Sequence, residues 1–510
     1  MSFMDSVKKT LDETSYSVTE NGALGFSTSG SKLLDINFKV TSFRNKKDKE
    51  IEDAFAKAFY EDKKLALKWL MYARDREQGI GERRLFRVCL KWLATEQPDI
   101  AKAVFSMAPF YGRMDDMWCL LETDLKDNVI GYIIGQLNAD KALMKEGKPV
   151  SLLAKWLPSL NASSKETKRL AEIIRSSLAM TERQYRKTLS ALRKYINVVE
   201  TKMSAKEWGE IDYNAVPSKA NLIYRNAFLR NDEERRKAYL AALERGDKSV
   251  KINSSVNFPH DIVHGYMDSS RWSQSLKAHD TALEELWKAL PDFVNGQSNT
   301  ICVADGSGSM TSTVGGTNVT CLDVANALAI YFAEHSSGQF KDKYITFSHR
   351  PQYVDFSNAK SLREKISIAL KHDEVADTNI EAVFNLLLKT AVDNKLNQDE
   401  LPANVLILSD MEFNYGVEGA SNKTLFRNIE QKWNEAGYRM PRCVYWNICS
   451  RTGTLPVNKH ENFPVALVSG FSPAICNMVL SGELDPYKCL VKQLNSERYV
   501  LVDKAVQDLI

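Results

Sequence analysis

Residues Ile301–Met310 read ICVADGSGSM. An apolar run ends on a carboxylate, Asp305, and hydroxyls follow two and four positions later at Ser307 and Ser309. A short apolar run of this kind reads as a strand buried on both faces. Gly306 and Gly308 are expected to let the backbone turn tightly just past the strand's end. Three oxygen donors on one turn point to a hard cation.

Downstream, the pattern around this stretch alternates. After Asn295-Gly-Gln-Ser, the strand NTICVAD leads to the amphipathic helix CLDVANALAIYFAEHS. KYITFS and PQYVDF read as paired strands, SLREKISIALK and NIEAVFNLLLKTAVDN as helices, and ANVLILSD as a buried strand. TLFRNIEQKWNEAG is a helix, RCVYWNI and FPVALVSG are strands, and AICNMVLSG with DPYKCLVKQL closes in helix. Strands alternating with helices predict a doubly wound, mostly parallel sheet over residues 296–510, covered on both faces. Ligand sites in such sheets lie at the carboxyl ends of the strands. Asp410 closes ANVLILSD there, and Asp377-Thr378 precedes a helix at the same end. Hydroxyls and carboxylates suit Mg²⁺, with Mn²⁺ or Ca²⁺ as alternatives, better than a soft metal. A phosphate loop would need the lysine of GxxxxGK[ST], and a nucleophile elbow would need GxSxG; DGSGSM has neither. Taken alone, DGSGSM also reads as a plain Ser/Gly turn with Asp as a helix cap.

Upstream the period is helical. EIEDAFAKAFYEDKKLALKWLMYARDREQG repeats its apolar residues at three and four, with Gly79 as the expected stop. Amphipathic stretches continue to about Leu290, so residues 48–295 are expected to stack as helix pairs in a HEAT-like ring or solenoid, or to pack as an irregular bundle. Residues 1–47, rich in Gly, Ser and Thr and including LLDINFKV, read as an extended arm or small hairpin. A chain of 510 residues exceeds a single hydrophobic core, in keeping with this division.

The net charge of +3 excludes nothing, but its distribution is uneven. Between residues 155 and 251, Lys+Arg outnumber Asp+Glu by 21 to 12, a net +9; from 299 to 510 they fall short at 20 to 24, a net −4. The basic segment hints at a polyanion partner. Eight cysteines lie scattered without a CxxC pair, the pattern of buried thiols in a reducing, cytoplasmic setting. The start MSFMDSVKKTLDETS has no apolar leader core, and no run reaches membrane-spanning length.

The carboxylates and hydroxyls at Asp305, Ser307, Ser309, Thr378 and Asp410, in this order after these strands, resemble the metal-ion-dependent adhesion site of a von Willebrand factor A domain. That resemblance covers residues 299–510 and implies a Rossmann-like fold whose divalent cation completes its coordination with an acidic group of a protein partner. RDREQGIGERRLFR (Arg74–Arg87) and PFYGRMDDMW (Pro109–Trp118) resemble signatures of the TROVE module of Ro autoantigen ribonucleoproteins. AKWLPS, YRKTLSALRKYINVVE and EIDYNAVPSKA are closer to a less characterised sister group spread through viruses, plants and fungi. The resemblance implies a helical ring joined to an A domain, a monomer, and binding of structured or misfolded noncoding RNA ends.

The residues offer their own support for RNA. Arg186-Lys187 and Arg193-Lys194 recur at seven residues, which puts both pairs on roughly one helix face. Lys155, Arg183, Lys202, Lys219 and Arg225 extend the track, with Trp156 and Tyr195 as stacking platforms. Each basic residue also reads plainly as a solvated or structural one. His260 and His264 share a helix face but lack the Glu of HExxH and a third ligand, so zinc is not expected. With no nucleophile–base pair in view, the expectation is a non-enzymatic RNA-binding scaffold. The alternative is a metal-dependent protein–protein adhesion or assembly module without RNA.

Overall fold

The computed structural model describes residue 4 and residues 16–510, apart from 268–274, 296–298, 316, 348–349, 374–376, 415–424, 458–464, 480–482 and 484. Residues 1–3 and 5–15 of the expected N-terminal arm therefore lie outside the described residues. The chain divides into two compact units. An α/β unit takes Met1–Trp69, Gln78–Ile80 and Asn257–Arg498; a helical unit takes Leu70–Glu77, Gly81–Val256 and Tyr499–Ile510. These limits cut the chain differently from the boundaries at 47 and 295 that the change in residue pattern suggests. Helices Asp48–Glu61, Pro259–Tyr266 and Thr281–Lys288 have a helical period, yet all three belong to the α/β unit. Amphipathicity reports that a face is buried, not which unit buries it.

The α/β unit begins with a hairpin, β1 (Tyr16–Val18) against β2 (Leu24–Phe26), antiparallel. LLDINFKV, read above as extended, is instead mostly helix (Lys32–Phe38), because Ser31 caps it by accepting the Leu34 N–H. The main sheet holds β3 (Thr300–Asp305), β4 (Lys343–Phe347), β5 (Gln352–Asp355), β6 (Asn404–Ser409), β7 (Arg442–Asn447) and β8 (Val465–Ser469). Its order is β5-β4-β3-β6-β7-β8, parallel throughout except for the β4–β5 pair. The near-continuous apolar runs follow from this: β7 and β8 are buried along their whole length. The chain goes from β3 to one side and returns to β6 on the other. The carboxyl ends of β3 and β6 thus flank a topological switch point, where open α/β sheets leave a crevice. Helix Cys321–His335 follows the β3 loop, capped by Thr320 with Asp323 in a capping box, and is buried without a break from Val324 to Ala333.

The helical unit is built from helices Arg84–Glu96, Pro98–Val104, Lys126–Lys145, Lys165–Ser177, Glu182–Tyr195, Ser218–Asn231 and Glu233–Glu244, with shorter turns between them. The helix expected to stop at Gly79 ends at Arg74, where Asp75 turns the chain and accepts the Glu77 N–H at 3.0 Å. The two signature stretches meet in one ion cluster. Asp116, fully buried, accepts from Arg74 Nε at 2.7 Å, Arg87 Nε at 3.0 Å and the Arg113 N–H at 2.9 Å. Asp115 accepts from Arg83 and Arg113. Gly112 is required here, since a Cβ at that position stands 2.6 Å from both Arg74 Nε and Asp116 Oδ2. Among the described residues, no helix is long and apolar enough to cross a membrane.

Candidate cation site and basic cavity

The oxygen-bearing residues expected to meet at the top of the sheet lie there. Asp305 ends β3, and Asp410 directly follows β6, its neighbour in the sheet. Asp305 Oδ1 accepts the Ser307 N–H at 2.9 Å, and its Oδ2 accepts from Ser409 Oγ at 2.6 Å. Ser307 and Ser309 hydroxyls are 3.1 Å apart, and Ser309 also hydrogen-bonds Asp410. Thr378 is reached through Asn21, whose Nδ2 donates to Thr378 Oγ1 at 3.3 Å and to the Glu412 carbonyl at 2.6 Å. Asp305, Ser307, Thr378 and Asp410 are all at most 2% exposed. Asp377, in contrast, is exposed. Neither Gly306 nor Gly308 has a positive φ, and a Cβ on Gly306 meets nothing closer than 3.7 Å. The chain does turn after β3, through the Ser307 N–H on Asp305 and the helical turn Gly308–Thr311, but without a positive φ; the positive φ at this end of the sheet is on the separate loop after β6, at Met411 (φ 63°). Its N–H donates to Ser409 Oγ at 2.9 Å, which helps hold the strained backbone in place.

Electrostatics set the character of this cluster. Burial first, then the neighbouring Asp410, raises the Asp305 carboxyl above the usual carboxylate range. Burial likewise raises Asp410, against the Ser309 hydrogen bond and Arg451. Asp410 Oδ2 is buried and makes no hydrogen bond; Arg451 Nη2 stands 3.4 Å from it. A buried carboxylate oxygen without a hydrogen bond, in a set of hard oxygen donors where burial raises both acids and Asp410 raises Asp305 further, fits a divalent cation. Among the described residues, no three His, Cys, Asp or Glu side chains are placed together to hold a metal, so a cation here draws on the hydroxyls as well as the two carboxylates.

Several residues here escaped the sequence reading. Glu412, fully buried, accepts the N–H groups of Glu20, Arg451 and Thr452 at 2.8 to 2.9 Å and the Ser450 hydroxyl at 3.0 Å. Its position two residues past Asp410 was the one available signal. Asp373 lies beside Gly306, accepts from Asn326 Nδ2 at 2.8 Å, and is pushed up to about 7 by burial.

The basic residues divide. In the helical unit, a cavity of about 1010 Å³ is lined by Lys155, Arg186, Arg193 and Lys219 of the expected set, joined by Arg76 and Arg113. Arg183, Lys187, Lys194, Lys202 and Arg225 do not line it. The helix Glu182–Tyr195 therefore presents Arg186 and Arg193 to the cavity, while each paired lysine is exposed outside it. Arg193 is committed to the fold: its guanidinium donates to the Ala154 and Leu157 carbonyls and to Ser159 Oγ at 2.7 to 2.9 Å. Arg225 donates to the Leu222 carbonyl, Lys202 to the Glu210 carbonyl, and Arg186 pairs with Glu182. Trp156, expected as a stacking platform, already carries the Arg113 guanidinium 3.9 Å from its ring centre. Tyr195 keeps an exposed ring and donates its hydroxyl to the Lys148 carbonyl. His264 Nδ1 faces Asp323 at 3.8 Å, while His260 packs between Phe258 and Phe471, so the two histidines have different surroundings.

A model for a domain of unknown function, DUF2828, matches residues 19–107 and 125–299, just over half of the chain. The chain belongs to the DUF2828 family. A second domain of unknown function, DUF7788, matches residues 299–504, the stretch that carries β3 to β8. An uncharacterized protein, L728 of Acanthamoeba polyphaga mimivirus, is 29% identical over 525 residues, covering 95% of this chain and 88% of the viral one. A viral relative accords with the virus-containing sister group indicated by the sequence.

Proposed function

We propose that this chain is a non-enzymatic RNA-binding scaffold that also carries a divalent cation. The observation behind the RNA reading is the cavity of the helical unit. Six Lys and Arg side chains line it against one acidic residue, Glu200, beside Trp156 and Tyr185. Cations arranged around a concave surface neutralise phosphates. The resemblance to Ro ribonucleoproteins makes structured or misfolded noncoding RNA the class to test first. In this reading the helical unit is a HEAT-like ring or solenoid of the TROVE type, and the α/β unit is a von Willebrand A-like domain. The protein works as a cytoplasmic monomer. Mg²⁺, or Mn²⁺ or Ca²⁺ in its place, is held by Asp305, Ser307, Ser309, Thr378 and Asp410. There it supplies positive charge to two buried carboxylates and a point of attachment for a further oxygen ligand.

The test is purification of the full chain from cells without nuclease, followed by sequencing of bound nucleic acid. The reading expects a defined RNA on the wild type and its loss when Lys155, Arg186 and Lys219 become Glu. Protein free of RNA in both cases, with no affinity for structured RNA at low salt, contradicts it. The second reading, a metal-dependent protein adhesion module, draws on the same oxygen cluster. It expects capture of a protein partner that depends on cation and is lost in Asp305→Ala.

A further inference from the structure

The N-terminal hairpin lies over the oxygen cluster. Its turn, between β1 and β2, is fixed to the chain that follows β6. Thr19 Oγ1 donates to the Phe413 carbonyl at 2.6 Å, the Glu20 N–H donates to Glu412 Oε2 at 2.8 Å, and Gly22 forms a β-bridge with Asn414. The strands are fixed to the loop after β7: Phe26 bridges Leu455, and Ser17 meets Thr454 at 2.9 Å. Asn21 reaches Thr378 from the same turn.

The Glu20 carboxylate itself is held by charge alone. It pairs with Arg451 Nη2, the same nitrogen that stands 3.4 Å from the orphaned Asp410 Oδ2. One guanidinium nitrogen thus bridges two carboxylates, with Asp305 beside them. Glu412 is already satisfied by the N–H and hydroxyl donors of the loop. Asp305, Asp410, Glu412 and Glu20 set against Arg451 leave an acidic excess that a divalent cation would reduce. A cation entering at Asp305 and Asp410 repels Arg451 from Asp410 and attracts the nearest remaining carboxylate, Glu20.

We propose that Glu20 is a further ligand of the cation, supplied in cis by the N-terminal hairpin, so that cation binding and hairpin docking are coupled. Arg451 occupies the cation's electrostatic place when no cation is bound. This rests on the cation reading of Asp305, Ser307, Ser309, Thr378 and Asp410. It changes what that site faces: the position offered to an outside carboxylate is filled by the chain itself.

The experiment measures Mn²⁺ affinity of the full chain by electron paramagnetic resonance, with hydrogen exchange across residues 16–26 as a second readout. Three variants are compared with wild type: Asp305→Ala, Glu20→Gln and Arg451→Gln. The expected result is no binding in Asp305→Ala and a loss of tenfold or more in Glu20→Gln, on the order of a lost ligand contact. Arg451→Gln binds more tightly, because a competing positive charge is gone. Mn²⁺ slows exchange in residues 16–26 of the wild type and leaves it unchanged in Glu20→Gln. A merely structural ion pair predicts that Glu20→Gln and Arg451→Gln weaken the site alike, and that result overturns the proposal. Equal affinity in wild type and Glu20→Gln also overturns it while leaving the cation site standing. A wild type that binds no Mn²⁺ removes the cation reading and this inference together.

Discussion

Asp116→Ala in the helical unit puts the architecture behind the two signature stretches to a quantitative test. Asp116 accepts three hydrogen bonds, from Arg74, Arg87 and the Arg113 backbone, and is fully buried; Arg74 is 1% exposed. Burial first, with Arg76 and Arg113 adding to it, lowers the Arg74 pKa, and Asp116 acts the other way. Removing the carboxylate strands a guanidinium that has no route to water. Loss of one partner of a buried pair costs about 3–5 kcal/mol. Arg87 and the Arg113 N–H are partly exposed and recover hydration, so they add little beyond this. The expected loss is therefore about 3–5 kcal/mol, confined to the helical unit. Hydrogen exchange under mild urea reads it directly as faster exchange in helices Arg84–Glu96 and Pro98–Val104, with β6 and β7 unchanged. A loss below about 1 kcal/mol, the range of an exposed pair, refutes the reasoning.

Four further outcomes follow from named contacts. Gly112→Ala forces a Cβ against Arg74 and Asp116 and should destabilise the same helices by about 1–3 kcal/mol in the same exchange measurement. Arg193→Lys loses a fork that serves two carbonyls and a hydroxyl, so it should lower stability by about 2 kcal/mol, whereas the exposed Arg186→Lys should not; urea titration separates them. Burial raises the Asp115 carboxyl, but Arg113, Arg83 and Arg87 outweigh it and hold it low. Its stabilising effect is then complete above the unfolded value near about 4 and is lost as pH falls through the lower folded value, a loss that Asp115→Asn should abolish in acid titrations. Mg²⁺ at about a hundred times its dissociation constant should stabilise the α/β unit by about 2.7 kcal/mol, reversed by chelator and absent in Asp305→Ala.

The coarse architecture was legible because it is written in local periodicity. Buried parallel strands such as Val303–Asp305 and Val405–Ser409 are apolar runs bounded by turn residues, and the helices carry capping residues such as Thr320, Ser361 and Asn379. The five oxygen-bearing residues were legible because each sits at the end of a recognisable element. Long-range contacts were not. Nothing in YSVTENGALGF announces that Glu20 and Asn21 will lie on residues 392 and 357 positions away, since hairpin propensity specifies a turn and not its docking surface. The basic track does not lie on one surface for a related reason. A seven-residue repeat returns to the same helix face, but adjacent residues are about 100° apart, so Arg186 and Lys187 diverge. Arg193 was spent on satisfying carbonyls that close the turn at Leu153–Ser159.

The most direct measurement is the affinity of the full chain for a structured RNA with a single-stranded end, followed across salt concentrations. The wild type should bind, with affinity falling as salt rises. Changing Lys155, Arg186 and Lys219 to Glu should weaken binding across sequences and flatten the salt slope by about 2, the share of three lost phosphate contacts to single-stranded RNA. Binding by both proteins with the same slope would move the RNA away from this cavity. No binding by the wild type at low salt would contradict the RNA-scaffold account altogether.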